Sequence, residues 1–285
     1  MKKVLLQLDT GEHPSPFDAI VAVDADVDVL LSHGGVKPDE VHALVQDAFF
    51  TRGMDDLKTM AVWVGGKRVS VGEELFAKVQ KAFFGPFRVS LMLDANGCNT
   101  TAAAAVVKMV QAAGGDVSGR RALVLAATGP VGQRAAGLLL RRGASVRVTS
   151  RDAERAKASA RAIGERWGGT VEAVGGSASA SPDVVGDAEL LMSAGPAGVQ
   201  LLARAAWAGR AGLRAVADVN AVPPAGIEGV EAADNGTPRE GVQAFGALGI
   251  GGLKMKAHKA ALARLFEQND LVLDAEEIYD LAAAL

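Results

Sequence analysis

The sequence predicts an α/β fold with two domains, and three observations support this prediction. Short apolar runs alternate with amphipathic helical patterns from the first residues onward, which is the order expected of parallel strands joined by helical crossovers. A glycine-rich break, "AGGDVSGRR", interrupts the alternation near residues 114 to 120, and beyond it the alternation resumes. The predicted first domain therefore spans residues 1–115 and the second spans 116–250. The helical segment 251–285 is expected to pack back on the first domain.

Composition limits the classes of protein to which the chain can belong. Its 285 residues are 49% hydrophobic and only 5% aromatic, which is typical of a globular α/β protein. The formal net charge of −3 arises from charges spread along the chain, so we expect neither a nucleic acid nor a membrane surface as partner. The opening apolar run is interrupted by Gln7 and Asp9 before it reaches the length of a signal or membrane segment, which predicts a cytoplasmic protein. With one cysteine, Cys98, and four scattered histidines, we expect no disulfide and no metal site.

The elements follow from these runs in order. In the first domain, strands are predicted at "KVLLQLD", "DVLLSH", "MAVWVGG" and "FRVSLML", with helices at "PFDAIVAVDA", "PDEVHALVQDAFF" and "GEELFAKVQKAFF", and a further helix from Thr101 to Ala113. In the second domain, strands are predicted at "RALVLAA", "SVRVTS", "TVEAV", "ELLMSAG" and "LRAVADVN". The helices between them are predicted at Val131 to Arg142, Ala153 to Trp167, 181 to 187 and 197 to 208. The low-complexity stretch "GGSASASPD" predicts a surface loop.

The turn after the first strand of the second domain carries a phosphate-binding signal. The stretch "VLAATGPVGQRAA" places Ala127, Gly129 and Gly132 at the three positions of the dinucleotide-binding glycine fingerprint. Gly129 would let the backbone approach a pyrophosphate, and Gly132 would let the helix pack close to its strand. This predicts a Rossmann-type domain whose pyrophosphate contacts are Thr128, Gly129, Pro130, Val131 and Gly132. The alternative is that the glycines only tighten a strand-to-helix turn.

The end of the next strand indicates which dinucleotide is bound. An acid at this position would accept from the ribose 2′-hydroxyl of NAD, whereas a 2′-phosphate needs donors and positive charge. The chain has Ser150 and Arg151 here, and the first acid, Asp152, could cap the following helix. The residues therefore predict NADP as cofactor. A solvated arginine at a helix start is the alternative.

Four long motifs resemble those of a known family. They are "FFGPFRVSLMLDANGCNTTAAA" (83–104), "VLAATGPVGQRAA" (124–136), "VADVNAVPPAGI" (216–227) and "FGALGIGGLKMK" (245–256). These motifs closely resemble the NADP-dependent methylene-tetrahydromethanopterin dehydrogenases of one-carbon-oxidising bacteria, and the resemblance runs over essentially the whole chain.

The resemblance implies a reaction and an assembly. The reaction is reversible hydride transfer between NADP and the methylene carbon that bridges N5 and N10 of a reduced pterin, and the amino-terminal domain is the pterin domain. The family also implies a homo-oligomer, a trimer or a multiple of one. One branch of the family accepts both tetrahydromethanopterin and tetrahydrofolate and uses NADP only, and another prefers tetrahydromethanopterin and takes NAD as well. This chain mixes features of the two branches. Related folate enzymes add a cyclohydrolase step with a tyrosine and a lysine three residues apart, and Tyr279, the only tyrosine here, has no such partner.

Candidate pterin contacts come from the first domain and from the last motif. Asp94, Asn96 and Asn99 follow the last strand of the first domain, where ligands gather at the carboxyl ends of parallel strands, although they could instead cap the next helix. The resemblance makes Lys254 the catalytic-cleft lysine, with Lys256 nearby; the alternative is that they are solvated lysines.

The remaining candidates lie at a helix end and at two strand ends. Arg52, in "FFTRG", matches a family motif, but it could simply satisfy the carboxyl end of a helix. The expected nicotinamide path is lined by residues at the ends of two strands of the second domain: Ser193, Ala194, Gly195, Asp218 and Asn220. Asp218 could instead be a buried structural hydrogen-bonding residue. His258 is predicted to lie on the surface of a helix.

Two other functions remain open at this stage. A shikimate-type NADP dehydrogenase would share the two-domain architecture, but it would normally carry a lysine and aspartate pair around its substrate. A non-catalytic NADP sensor would keep the phosphate loop and lose the polar groups of the cleft, which this chain retains at Asp94, Asn96, Asn99 and Lys254.

Overall fold

A computed structural model of the protein describes residues 1–176 and 181–285. The chain forms two compact units, one of residues 1–100 and 255–285 and the other of residues 101–254. Both divisions fall inside helices, Cys98–Ala112 and Ala247–Arg264. The glycine-rich stretch from which the sequence predicted a boundary lies within the second unit.

Helices and strands alternate along most of the chain. In chain order they are β1 (Val4–Asp9), α1 (Pro16–Asp24), β2 (Val29–His33), α2 (Val41–Phe49), β3 (Met60–Gly65), α3 (Val69–Ala82), β4 (Ser90–Leu93), α4 (Cys98–Ala112), β5 (Arg121–Leu125), α5 (Pro130–Arg141), β6 (Ser145–Ser150), α6 (Ala153–Trp167), β7 (Val171–Gly175), β8 (Leu190–Ser193), β9 (Ala215–Asp218), β10 (Asn235–Arg239), β11 (Val242–Phe245), α7 (Ala247–Arg264), β12 (Val272–Leu273) and α8 (Ala275–Ala283). The predicted α/β class is confirmed.

The sheet of the first unit is parallel, with strand order β12-β4-β3-β1-β2. Strands β3 and β4 are buried along their whole length, as expected of parallel strands covered on both faces, and edge strand β2 is largely exposed. The register pairs Asp9 with Gly65 and Val64 with Leu93. The carboxyl ends of β1, β3 and β4 therefore meet at one edge of this sheet.

The sheet of the second unit has the order β10-β11-β9-β8-β5-β6-β7. When β5 is taken as the first strand, the parallel strands follow the 3-2-1-4-5-6 order of the doubly wound dinucleotide-binding fold, and β10 is added antiparallel at the edge. Ser193 pairs with Leu125 on one side and with Asp218 on the other. The strand ends that the sequence singled out therefore lie side by side.

Two predicted helices of the second unit are wrong. The segment predicted as helix 197 to 208 contains only a 3₁₀ turn at Arg204–Ala206, because the backbone of Leu202 pairs with the segment around Ile227. Trp207 is fully buried there, and its indole N–H donates to the Glu228 carbonyl. The segment predicted as helix 181 to 187 has a 3₁₀ turn at Pro182–Val185, which ends at Gly186 with a φ of +55°. Part of the predicted loop "GGSASASPD", residues 177–180, lies outside the described residues.

Candidate functional site

The turn between β5 and α5 has the shape of a phosphate-binding loop. Gly129 is the N-cap of α5, has extended backbone and offers no capping side chain, and Pro130 begins the helix. A Cβ at Gly129 would meet nothing within 4 Å, so the backbone there is open to a ligand. A Cβ at Gly132 would lie 2.7 Å from the Cα of Ala127, which explains why only glycine fits. Open backbone at a helix amino end is the arrangement that binds pyrophosphate.

The loop is held in place from the neighbouring strand. Ala126 has a φ of +54°, a left-handed conformation that is costly for a residue other than glycine. Its N–H donates to the Thr149 hydroxyl at 3.0 Å, and the N–H of Ala127 donates to the Thr149 carbonyl at 3.1 Å. Ser159 on α6 donates to the Ala127 carbonyl at 2.8 Å. The position of the left-handed turn is thus fixed by β6 and α6, which the sequence did not indicate.

Asp152, the acid that directly follows β6, is engaged in capping the next helix. The Asp152 carboxylate accepts from the N–H of Arg155 at 3.0 Å and is the N-cap of α6, as predicted. The Ser150 hydroxyl accepts from the Asp152 N–H at 3.3 Å, and Arg151 is exposed. The strand end therefore presents a hydroxyl and a guanidinium.

Asp218 and Asn220 shape the loop that follows β9. Asp218 is buried and accepts from the N–H groups of Asn220, at 3.0 Å, and Ile227, at 2.8 Å. Burial raises the pKa of the Asp218 carboxyl above its usual value, against the opposing effect of these N–H donors. The Asn220 carboxamide accepts from Val222 at 2.9 Å and donates to Pro224 at 3.1 Å. Both side chains act first as structural hydrogen-bonding groups.

Glycine is required where this loop and the β8 loop pack closely. A Cβ at Gly226 would lie 2.2 Å from the Ser193 hydroxyl, and a Cβ at Gly195 would lie 2.6 Å from Leu201 Cδ1. Ala194, between Ser193 and Gly195, is partly exposed. The ends of β8 and β9 thus lie side by side next to β5, the strand that leads into the phosphate loop.

Two of the three polar residues after β4 are internal. The Asp94 carboxylate is buried and accepts from the N–H groups of Asn99 and Thr100 and from the Thr100 hydroxyl, at 2.9, 3.0 and 2.7 Å. Asn99 is fully buried and donates to the Leu93 carbonyl and to Asp274. Asn99 joins the end of β4 to the N-cap residue of α8, whereas the contacts of Asp94 are those of the predicted alternative, helix capping. They start α4 at Cys98, three residues before the predicted Thr101.

Asn96 differs from its two neighbours. It is exposed and has a φ of +55°, a conformation that asparagine tolerates better than most residues. Its N–H donates to the Gly66 carbonyl at 2.6 Å, which joins the turn after β4 to the turn after β3. Of the three predicted residues, Asn96 alone presents an exposed side chain.

Arg52 and the two predicted lysines lie in different elements of the chain. The Arg52 guanidinium donates to the carbonyls of Thr59, at 2.9 Å, and Lys2, at 3.0 Å, and therefore ties together the backbone near the start of β1 and β3. Lys254 is partly buried and Lys256 exposed, and both lie inside α7 rather than at a helix start. Because residues two apart on a helix do not face each other, the two lysines lie on different sides of α7.

His258 was predicted on the surface and is buried, 1% exposed. Its ring meets that of Trp63 edge to face with centroids 5.1 Å apart, and its Nε2 lies 4.0 Å from Asp94 Oδ2. The interpretation as a surface residue was wrong because these partners are distant in sequence, and no local pattern signals them.

Sequence reasoning also missed polar residues at the carboxyl ends of β1 and β3. Asp9 is buried and accepts from the N–H groups of Gly11, at 2.6 Å, and Ser15, at 3.3 Å. Gly66 has a φ of +86°, and a Cβ there would lie 2.3 Å from Asp9 Oδ1. The signal that could have found them is the run "LDTG", a strand that ends in an acid, a hydroxyl and a glycine.

Other site classes receive no support from the described residues. In residues 1–176 and 181–285, no group of three His, Cys, Asp or Glu side chains is arranged to hold a metal ion. No helix in the same ranges is both long and apolar enough to span a membrane. A groove of about 460 Å³ beside α6 and β7 is open to solvent and contains none of the predicted site residues.

Comparison with known proteins supports the family resemblance. The family model "Methylene-tetrahydromethanopterin dehydrogenase, N-terminal" matches residues 16–96. A curated protein of Methylorubrum extorquens, "Bifunctional protein MdtA", is 48% identical over 282 residues, which cover 99% of this chain and 98% of that protein. The "NAD(P)-dependent methylenetetrahydromethanopterin dehydrogenase" of the same organism is 32% identical and covers 100% of this chain and 99% of that protein.

A solved structure agrees in fold over the same length. Quinate dehydrogenase from Corynebacterium glutamicum in complex with NAD has a TM-score of 0.53 and covers 100% of this chain and 99% of its own, at 14% identity. At that identity the likeness shows the fold alone. The full-length identities to the two curated relatives carry the family assignment, and the chain belongs to the methylene-tetrahydromethanopterin dehydrogenase family.

Proposed function

We propose that the protein catalyses reversible hydride transfer between the methylene carbon of methylene-tetrahydromethanopterin and NADP. The observation that carries this proposal is the 32% identity, over 100% of the chain, to a protein named as an NAD(P)-dependent methylenetetrahydromethanopterin dehydrogenase. The second unit adds a loop with open backbone at the start of α5, on a sheet with dinucleotide-binding strand order. Methylene-tetrahydrofolate is a possible second substrate, because the chain mixes motifs of both branches of the family.

The cofactor site is assigned to the second unit. The backbone from Thr128 to Gly132 would hold the pyrophosphate, and the residues at the ends of β8 and β9 would line the nicotinamide side: Ser193, Ala194, Gly195, Asp218 and Asn220. When bound there, NADP would supply its nicotinamide ring as the hydride acceptor. Ser150 and Arg151 favour NADP over NAD, because they offer a hydroxyl and a guanidinium to a 2′-phosphate while Asp152, the acid that follows them, is engaged in capping α6.

The chemistry asks little of the protein beyond positioning. Lone pairs on the pterin nitrogens favour the departure of hydride, which leaves a delocalised formamidinium cation. No proton therefore has to be moved. The rate then depends on holding the methylene carbon close to its acceptor. We assign Asn96 and Lys254 to pterin contacts, and we assign structural roles to Asp94, Asn99 and Arg52, whose polar atoms hold the backbone around them. Lys256 is on another side of α7 from Lys254 and is not assigned to the same contact.

The reaction is proposed to stop at the methenyl form. Tyr279 is 2% exposed within α8, and the residue four positions later is Ala283, so a tyrosine and lysine pair of the cyclohydrolase type is not present there. Hydrolysis of the methenyl pterin should therefore proceed at the buffer rate with or without the protein.

The test is an absorbance assay at neutral pH. We expect NADPH formation with methylene-tetrahydromethanopterin, with NADP strongly preferred over NAD. The same assay with methylene-tetrahydrofolate decides whether the folate substrate is accepted. Failure of the methanopterin substrate to yield NADPH would overturn the proposed function, and equal use of both cofactors would overturn the specificity assigned to Ser150 and Arg151.

A further inference from the structure

A buried glutamine lies in a strand that is otherwise apolar up to its last residue. Gln7 is fully buried in β1, which pairs with β2 on one side and β3 on the other. Burying a carboxamide costs free energy unless its polar atoms are hydrogen-bonded. Its Oε1 accepts from the Ser32 hydroxyl at 2.7 Å, and its Nε2 donates to Asp18 Oδ2 in a long hydrogen bond of 3.5 Å. A chain of hydrogen bonds therefore runs from Ser32 through Gln7 to the Asp18 carboxylate.

The Asp18 carboxylate does not make the capping hydrogen bond that an acid in the first turn of a helix often makes. It lies in the first turn of α1, and its N–H donates to the side chain of the N-cap, Ser15. In a reciprocal capping box, the acid three residues after the cap would accept from the N–H of Ser15. Here that N–H donates to Asp9 Oδ2 at 3.3 Å. The Asp18 carboxylate is instead directed toward Gln7, and it remains partly exposed at the carboxyl edge of the sheet.

The space beside this carboxylate is kept clear by a glycine. A Cβ at Gly65 would lie 3.4 Å from Asp18 Oδ2, 3.6 Å from Gln7 Nε2 and 3.8 Å from Trp63 Cε2. Trp63 Cε2 carries the indole nitrogen Nε1, which is buried and has no hydrogen-bond partner among residues 1–176 and 181–285. Gly65 therefore borders both the Asp18 carboxylate and the Trp63 indole. The carboxyl edge of a parallel sheet is where ligands bind in open α/β folds.

We propose that Asp18 binds the pyrimidine edge of the pterin ring and that Gln7 is the positioning residue that orients the carboxylate. The pterin ring presents two adjacent donors, the ring N3–H and the exocyclic 2-amino group. A carboxylate offers two acceptor oxygens at matching separation and can take both donors at once. This assignment rests on the proposed function and adds to it the group that recognises the substrate ring.

The first test compares Asp18→Asn with a matched control, Asp24→Asn. Asp24 lies on the same helix, is half-exposed and pairs with Lys259, so its variant makes the same charge change away from the ring. For Asp18→Asn we expect the KM for methylene-tetrahydromethanopterin to rise about 10- to 100-fold, the loss typical of a hydrogen bond to a charged group. Its kcat, its KM for NADP and its thermal midpoint should stay near the wild-type values, and Asp24→Asn should change none of them. An unchanged KM in Asp18→Asn would overturn the assignment.

The second test removes the donor from the ligand. Inhibition by 6-methyl-tetrahydropterin is compared with inhibition by 6-methyl-tetrahydrolumazine, in which an oxo group replaces the 2-amino group. The wild-type protein should prefer the pterin by roughly tenfold or more, Asp18→Asn should lose most of that preference, and Gln7→Met should lose part of it. A preference that Asp18→Asn leaves intact would overturn the assignment even if its KM rises. If the wild-type protein shows no turnover, the proposed function fails together with this assignment; normal turnover with an unaltered preference overturns the assignment alone.

Discussion

At the scale of single residues, the positive charge of the product limits how close the Lys254 ammonium can lie to the reacting carbon. Oxidation leaves a cation on the pterin, and an ammonium about 4 Å away would oppose it by about 4 kcal/mol at an effective dielectric constant near 20. Lys254 therefore cannot sit against the reacting carbon, and we expect it to bind a carbonyl or an acidic part of the substrate farther away. Lys254→Met should raise the KM for the pterin and leave kcat nearly unchanged, as loss of uniform binding does.

Steady-state kinetics with a control on the same helix measures this effect. Lys259→Met removes an equal charge from α7 at a residue that pairs with Asp24, and it should change neither constant. A fall in kcat without a change in KM would contradict the binding role of Lys254.

We expect Arg151 to set the preference between the two nicotinamide cofactors. Arg151→Ala should weaken NADP binding about 10- to 100-fold, the range for one hydrogen bond to a charged group, and leave NAD binding little changed. Titration of both cofactors into the variant measures this difference. Arg161→Ala, which removes an exposed arginine of α6 that pairs with Glu165, is the control. Equal losses for NADP and NAD would remove Arg151 from the 2′-phosphate site.

The sequence predicted which polar residues follow the strands, but it could not predict whether these residues bind a ligand or hold the backbone. Asp94 and Asn99 were candidate ligands because acids and amides follow a strand, and the same residue types are those that cap helices. The choice between the two roles depends on Thr100 and Asp274, which the fold brings within hydrogen-bonding distance. Gln7 was taken only as an interruption of an apolar run, because its partners Ser32 and Asp18 are distant in sequence.

At the scale of elements, the glycines of "FGALGIGG" fall into two groups with opposite effects on stability. A Cβ at Gly249 would lie 1.9 Å from the Asp234 carbonyl oxygen, whereas a Cβ at Gly252, inside α7, would meet nothing within 4 Å. Gly249→Ala should destabilise the protein by about 1–3 kcal/mol through overpacking. Gly252→Ala should stabilise it by roughly 0.5–1 kcal/mol, because alanine favours a helix interior. Thermal unfolding compares the two, and a lower midpoint for Gly252→Ala would show that this glycine is needed in the fold.

The β10–β11 hairpin was not predicted, because Pro238 in β10 argues against a strand. The structure places β10 at the edge of the sheet, where proline is tolerated, and a buried carboxylate fastens the hairpin. Asp234 accepts from Arg239 Nε at 2.6 Å and Nη2 at 2.7 Å. Burial raises the pKa of the Asp234 carboxyl, but hydrogen bonds from Arg239 and from the Glu231 N–H outweigh it and hold the pKa below its usual value.

The stability that Asp234 contributes should therefore decrease as the pH is lowered. A carboxyl whose pKa is lowered by folding stabilises the native state above its unfolded pKa, and the contribution is lost as the pH falls through the folded value. Wild type should exceed Asp234→Asn in urea midpoint at pH 7, and the difference should shrink below about pH 4, near the unfolded pKa of an aspartate. A difference that grows on acidification would contradict the ion pair.

At the scale of the whole molecule, the alternation of strands and helices and the glycine fingerprint predicted the α/β class and the doubly wound second sheet. The sequence did not indicate that the compact units would divide inside α4 and α7. The division in α4 has no glycine or proline beside it, the division in α7 lies just after Gly252 in an unbroken helix, and the glycine-rich stretch at 114–120 is only the turn between α4 and β5. Chain breakers mark the ends of elements, whereas compact units are defined by tertiary packing.

We propose that a hydride passes directly from the pterin methylene carbon to NADP. Methylene-tetrahydromethanopterin prepared from dideuterated formaldehyde carries deuterium on that carbon, and mass spectrometry of the reduced cofactor follows its fate. We expect one deuterium in every NADPH molecule formed and none released to water, because no base removes a proton in the reaction. Unlabelled NADPH, or deuterium recovered in the solvent, would contradict direct hydride transfer.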